Sequence, residues 1–340
     1  MCMKRCWWLA MAVVAVLSWP GQGAIKTIAR DPYIGAIVTD ADSGKVILEV
    51  NADAPAYPAS VCKLMTLMVV LDHLDKCVLR TNDMVHVTKE AARLGGSQVF
   101  LKENEQFTVE ELLYALIVQS ANDAATALAL HVAGSKDAFV SLMNQRAVAL
   151  GMVHTRFSSE HGLPPGVGQQ PDVSTARDLA QLSFELVKRP DVLRYCSTRE
   201  YGFRGGSFVM RTHNHLLGNV NGVDGLKTGW WPAAGYSMAI TAKRAGRRVI
   251  VVTLGSADRL ARDKVATELL ARGFANLPKL PPVQAVLTNA VAVSNAPTVK
   301  APAAPVATGH RRSWLVVVIV ALGILVISMA VRMQLRRRMD

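Results

Sequence analysis

The sequence predicts an α+β fold, in which an antiparallel sheet built from chain-distant strands packs with a mainly helical lobe. Three observations lead there. Short β-branched runs lie near both ends of the central region, helical periodicity fills the stretch between them, and strands do not alternate with helices as in a parallel βαβ chain.

The elements follow in order. Ile34 to Val38 and Lys45 to Val50 are apolar, β-branched runs separated by Asp40-Ala41-Asp42-Ser43-Gly44, a turn sequence, so they read as a hairpin. Helical spacing then covers Ser60 to Leu74, Val109 to Gln119, Ala124 to Ala133, Lys136 to Leu150 and Ser174 to Lys188. A second hairpin comes from Tyr236 to Ala242 and Arg248 to Leu254, joined by Arg244-Ala245-Gly246-Arg247. Asp258 to Phe274 is a final amphipathic helix. Beyond it the periodicity is lost, and Pro278, Pro281, Pro282, Pro297, Pro302 and Pro305 are spread among Ala and Val. Residues 276–312 therefore read as a linker, with a small extra β-domain as the alternative.

The chain has 340 residues, 51% of them hydrophobic, and a formal charge of +12. That length can bury a substantial core. The charge is placed at the ends. Lys4, Arg5, Arg311, Arg312, Arg332, Arg336, Arg337 and Arg338, offset by Asp340, carry a net +7 and leave +5 for the stretch between. These cations sit beside apolar runs, which points to a membrane and away from nucleic acid.

Residues 1–23 read as a secretory signal: Lys4 and Arg5, an apolar stretch from Trp7 to Trp19, then small residues. An uncleaved N-terminal anchor is the alternative. Trp314 to Val331 carries no charge and as a helix rises about 27 Å, close to the hydrocarbon thickness. Residues 313–332 thus read as a transmembrane helix and 333–340 as a basic cytoplasmic tail. Residues 24–275 become a folded domain on the periplasmic or extracytoplasmic side of a single-pass inner-membrane protein. Cys62, Cys77 and Cys196 survive signal removal, with no C-x-x-C pair and no metal-ligand spacing. His213 and His215 lack supporting ligands as well, so no metal and no cofactor are expected.

Three short motifs carry the chemistry. In Ser60-Val61-Cys62-Lys63, positions i and i+3 share a helix face, so the lysine can serve as base for the serine. Cys62 points about 200° away around the helix and reads as a core thiol. Ser120-Ala121-Asn122 falls in a turn between two helical stretches, offering a hydroxyl to relay a proton and an amide to hold a carbonyl. Lys227-Thr228-Gly229 offers an ammonium and a hydroxyl to a carboxylate on a strand edge, with a glycine for close approach. Each alone is equally an N-cap, a turn or an exposed strand end. Together, in this order and 60 and 107 residues apart, they form the triplet shared by penicillin-binding proteins and class A β-lactamases.

The blocks Pro58 to Thr66, Ser120 to Ala125 and Asp224 to Gly229 resemble low-molecular-mass penicillin-binding proteins of the serine D-Ala-D-Ala carboxypeptidase family. His161-Gly162-Leu163 and Ser174 to Leu179 are similar too, and the likeness runs from about Ile34 to Phe274. It implies the penicillin-binding, β-lactamase-like transpeptidase fold. It implies Ser60 as nucleophile, Lys63 as acylation base and Ser120 as proton relay. Asn122 would bind the substrate carbonyl, and Lys227 and Thr228 the terminal carboxylate beside Gly229. The backbone N–H groups of Ser60 and Trp230 would form the oxyanion hole. Arg262 falls loosely where relatives have an arginine near the carboxylate, and a surface salt bridge is its other reading. The implied partners are peptidoglycan stem peptides ending in D-Ala-D-Ala and β-lactams as covalent inhibitors.

Three features depart from that pattern. Cys62 stands where a small hydroxyl residue is common. Trp230-Trp231-Pro232 replaces the usual His or Tyr then Thr, which bears on the substrate entrance rather than the acyl chemistry. A linker and spanning helix stand in place of a second β-rich domain and amphipathic anchor.

A D,D-endopeptidase of cross-links would share the same motifs. A β-lactamase would need a carboxylate to activate deacylating water. Glu160-His161-Gly162-Leu163-Pro164 only partly matches the Glu-x-x-Leu-Asn stretch that supplies it, because Pro164 has no side-chain donor. Glu160 therefore reads as a solvated loop carboxylate. A β-lactam sensor is the non-enzyme alternative, but Arg332 to Asp340 is too short for a folded output domain.

Overall fold

A computed structural model describes residues 26–277, which lie in one compact unit. The signal, most of the linker, the spanning helix and the tail fall outside the described residues. Among the described residues no helix is long and apolar enough to cross a membrane.

The chain opens with β1 (Gly35–Asp40) and β2 (Val46–Val50). A 3-10 turn, Ala59–Cys62, leads into α1 (Lys63–Asp75). Next come β3 (Met84–His86), α2 (Lys89–Ala92), β4 (Gln106–Thr108), α3 (Val109–Ile117), α4 (Asn122–Ala133), α5 (Lys136–Ala149) and α6 (Ala176–Val187). Then follow α7 (Val192–Cys196), β5 (Glu200–Phe203), β6 (Phe208–Arg211), β7 (Val223–Trp231), β8 (Gly235–Arg244), β9 (Arg247–Ser256) and α8 (Arg259–Ala275).

Five strands form one antiparallel sheet in the order β2-β1-β9-β8-β7. The two ends of the folded region thus meet at β1 and β9. The sheet is covered on both faces, and alternation along β9 divides its side chains between them. Ile250, Val252 and Leu254 join the core of the helical lobe, while Val249 and Val251 pack with Ala266 and Leu270 of α8. The β8–β9 turn places Ala245 and Gly246 at φ 46° and 81°, the twist that suits a two-residue hairpin.

In the lobe, α1 is the central helix, with every residue from Lys63 to Leu71 buried. A helix surrounded by neighbours needs no polar face. Its partners are set by end signals. Thr108 and Glu111 form a reciprocal capping box on α3, Gly134 ends α4 at φ 74°, and Ser135 and Thr175 cap α5 and α6. The sequence places Lys227-Thr228-Gly229 before the second hairpin. The structure makes it the middle of β7, a nine-residue edge strand. The ribbons β3–β4 and β5–β6 are additions to the expected elements.

Candidate active site

The nucleophile candidate sits where the chain enters the central helix. Ala59 has φ 49° and Ser60 lies in the 3-10 turn, so the hydroxyl is presented at the start of α1 rather than within it. Backbone from two other segments closes on this turn. A Cβ at Gly229 would lie 2.6 Å from the Pro58 carbonyl and 2.8 Å from the Ser60 nitrogen. A Cβ at Gly162, which also has φ 78°, would lie 2.2 Å from the Ala59 carbonyl. Glycine at both places lets β7 and the 158–163 loop rest directly on the nucleophile's backbone.

Lys63 is fully buried. Its Nζ donates to Ser60 Oγ at 3.0 Å, to Asn122 Oδ1 at 2.7 Å and to the His161 carbonyl. Burial, first among the causes, lowers its pKa to about 8. Near neutrality about a tenth of it is then neutral and able to act as a base, far more than for a surface lysine. Asn122 is held by its Nδ2, which donates to the Gly95 carbonyl at 2.8 Å. Ser120 occupies a turn at φ 59° before α4 and is 3% exposed. An ordinary residue in the left-handed region costs of order 1 kcal/mol or more, a strain found where a side chain must be aimed.

Lys227 is the second buried ammonium. Burial, then the charge of Lys63, lowers its pKa to about 7. Its Nζ turns back to the Thr228 carbonyl at 2.9 Å. The start of β7 is fixed by Asp224, which takes two hydrogen bonds from Arg248 of β9 at 2.7 and 2.8 Å.

Ser60, Ser120, Asn122, Thr228, Gly229, Trp230 and Arg262 line a single cavity of about 400 Å³. Lys63 and Lys227 stand behind that lining. Thr228 and Trp230 share one face of β7, and the half-exposed Trp230 indole stacks on Tyr236 with centroids 5.5 Å apart. The surface reading of Arg262 is overturned. Arg262 is 3% exposed, faces the cavity, donates to Asp263 Oδ1 and sits 5.8 Å from the Tyr236 ring. It is buried because α8 packs on the sheet at that point. The solvated reading of Glu160 is also overturned: the residue is buried, its carboxylate accepts from Thr126 Oγ1 of α4, and it is not on the cavity wall. Cys62 is a free, buried thiol whose pKa is pushed well up by desolvation.

The cavity also uses residues that sequence reasoning gave no role. His213 and His215 line it, as do Leu163, Pro164 and Tyr236. The two histidines are i, i+2 neighbours, a visible signal, but it reads only as a metal spacing they lack.

Residues 30–258 match the family described as D-alanyl-D-alanine carboxypeptidase, peptidase S11. This chain belongs to that family. Among D-alanyl-D-alanine carboxypeptidases it is 38% identical to DacC of Escherichia coli over 277 residues, covering 78% of this chain and 68% of that one. It is 34% identical to DacF of Bacillus subtilis over 242 residues, covering 70% of this chain but only 61% of that relative's length. Penicillin-binding protein D2 of Listeria monocytogenes, solved in an ampicillin-bound form, superposes with a TM-score of 0.65 at 33% identity. That match covers 72% of this chain and 97% of the Listeria one. The family's fold is an antiparallel sheet with a helical lobe, as described above. The three motifs fall on three different elements that meet at one cavity.

Proposed function

We propose that this protein is a serine D-alanyl-D-alanine carboxypeptidase that trims peptidoglycan stem peptides through an acyl-enzyme and is acylated by penicillin. The observation that carries the reading is the Lys63 Nζ, 3.0 Å from Ser60 Oγ in a fully buried setting that brings the neutral amine within reach near neutral pH. Ser60 Oγ attacks the carbonyl of the penultimate D-alanine and gives its proton to Lys63. The N–H groups of Ser60 and Trp230 stabilise the developing oxyanion. The C–N bond to the terminal D-alanine breaks, and its nitrogen takes a proton returned from Lys63 through Ser120. Water then cleaves the Ser60 ester, releasing the shortened peptide. Lys227, Thr228 and Arg262 hold the terminal carboxylate. That carboxylate raises the proton affinity of Lys227, and the resulting ammonium disfavours a second charge on Lys63, which favours the base form when substrate is bound. In penicillin the broken amide lies in a ring, so the leaving nitrogen stays tethered and the ester persists.

The same reading puts the catalytic domain outside the cytoplasmic membrane, held by the apolar segment 313–332 with its basic tail inside. The charge-free run from Trp314 to Val331 and the arginines after it support this. The test of function uses the protein with a peptide ending in D-Ala-D-Ala, a cross-linked dimer and penicillin. Release of D-alanine with a persistent penicilloyl adduct is expected. Cleavage of the dimer in preference to the peptide would make it an endopeptidase, and fast penicillin hydrolysis a β-lactamase.

A further inference from the structure

Glu160 has no part in the scheme above, yet it is 1% exposed and sits in the loop that touches the base. Two successive carbonyls of that loop meet two side chains one turn apart on α1. Thr66 Oγ1 donates to the Glu160 carbonyl at 2.6 Å, and Lys63 Nζ donates to the His161 carbonyl. The Glu160 carboxylate reaches the other way and accepts from Thr126 Oγ1 on α4. Gly162 follows at once, with no room for a side chain between it and the turn that carries Ser60.

We propose that Glu160 is a positioning residue for acylation: its buried carboxylate ties the 158–163 loop to α4, which sets the His161 carbonyl against Lys63, and its negative charge acts on that base through space. The inference rests on the reading of Ser60 and Lys63 as nucleophile and base.

The case is one of charge compensation. All three acceptors of the Lys63 ammonium are neutral: a hydroxyl, an amide oxygen and a carbonyl. A buried cation without an anion is costly, so the balance must come through space. The charged and titratable groups around Glu160 are few. Lys63 and Cys62 face it from the start of α1, His161 and Asp172 from its own side of the fold, and Lys136 from α5. Asp123 on α4 also acts on Lys63. Lys136 already pairs with Glu90 at 2.6 Å. His161 cannot neutralise the carboxylate at the pH of the reaction. Its Nδ1 accepts from Leu163 N at 3.1 Å, its Nε2 stays 3.9 Å from Glu160 Oε1, and burial pushes its pKa down to about 4. Of the carboxylates that act on Lys63, Glu160 acts most strongly, ahead of Asp172 and Asp123. When Lys63 takes the Ser60 proton it becomes a cation in a dry site, and a fixed anion nearby stabilises that state.

The sign is definite. An anion raises the proton affinity of a lysine, so removing it lets Lys63 shed its proton at lower pH while making it a weaker base. Glu160→Gln keeps the shape and an acceptor for Thr126. The acylation rate at saturating fluorescent penicillin, whose bound carboxylate keeps Lys227 charged, is followed by stopped flow from pH 6 to 10, with deacylation measured separately. The ascending limb should move to lower pH by roughly half a unit or more. Its plateau should fall about tenfold, with deacylation little changed. Thr126→Val, which removes the tether and keeps the charge, should lower the plateau without moving the midpoint. An unchanged profile in Glu160→Gln, even with a lower Tm, beside normal acylation of the parent would overturn this inference alone. Deacylation that collapsed while acylation survived would overturn it in favour of a water-activating base. A parent that formed no Ser60 adduct would overturn the acyl-enzyme reading and this inference with it.

Discussion

Two lysines sit in the same dry environment and are asked for opposite things. In the proposed mechanism Lys63 must be neutral to take a proton, and Lys227 must be charged to hold a carboxylate. Burial lowers both, to about 8 and about 7. For the free enzyme, acylation should therefore rise with pH toward the Lys63 value while carboxylate recognition weakens as Lys227 loses its proton. A bell-shaped profile centred between neutrality and about pH 8 is expected for second-order acylation. A profile flat from pH 6 to 9 would contradict the role of Lys63. Lys227→Ala should weaken acylation by peptide and by penicillin roughly ten- to a hundredfold, the loss of one charge-assisted hydrogen bond, with the fold intact. Unchanged kinetics would leave Lys227 without that role. At this scale the chemistry was legible because serine, lysine and asparagine carry it in their own functional groups at helical spacing. Burial was not. Glu160 and Arg262 look like surface charges in one dimension, and only the packing of the 158–163 loop between α1 and α4, and of α8 on the sheet, hides them.

Elements matter here through the places where backbone meets backbone. β7 presents Thr228 and Trp230 to the cavity only because Gly229 lets it lie on the Ser60 turn. Gly229→Ala would put a Cβ 2.6 to 2.9 Å from three backbone atoms, none of which can rotate away. We expect a stability loss of about 1–3 kcal/mol and a fall in acylation larger than that loss explains, because the strand and the oxyanion donors separate. Denaturant unfolding and acylation rate together check this, and wild-type acylation in the variant would show that the contact is not needed. The long helices and both hairpins could be read from periodicity and turn residues. β7 was harder: Gly225, Gly229 and the buried Lys227 depress its strand signal, and only the sheet it completes makes it nine residues long. β3 to β6 are three or four residues each, too short for any alternation to register.

The whole molecule is an arrangement for bringing three distant motifs to one cavity: the 3-10 turn before α1, the α3–α4 turn and the edge strand β7. Their order and spacing made the family legible, whereas the cavity wall of His213, His215, Tyr236 and Leu163 depends on tertiary packing that no local pattern announces. Since every residue of the proposed acyl-transfer site lies within residues 26–277, a chain from Ala24 to Gly309 should be soluble and still acylated by penicillin. A folded but unreactive product would give the C-terminal segment a catalytic part. The most direct test of the whole account is peptide mass spectrometry after brief exposure to penicillin. One penicilloyl group on Ser60, absent in Lys63→Ala at the same exposure, is the predicted result. A label on Ser120 or Cys62, or an undiminished label on Ser60 without Lys63, would contradict it.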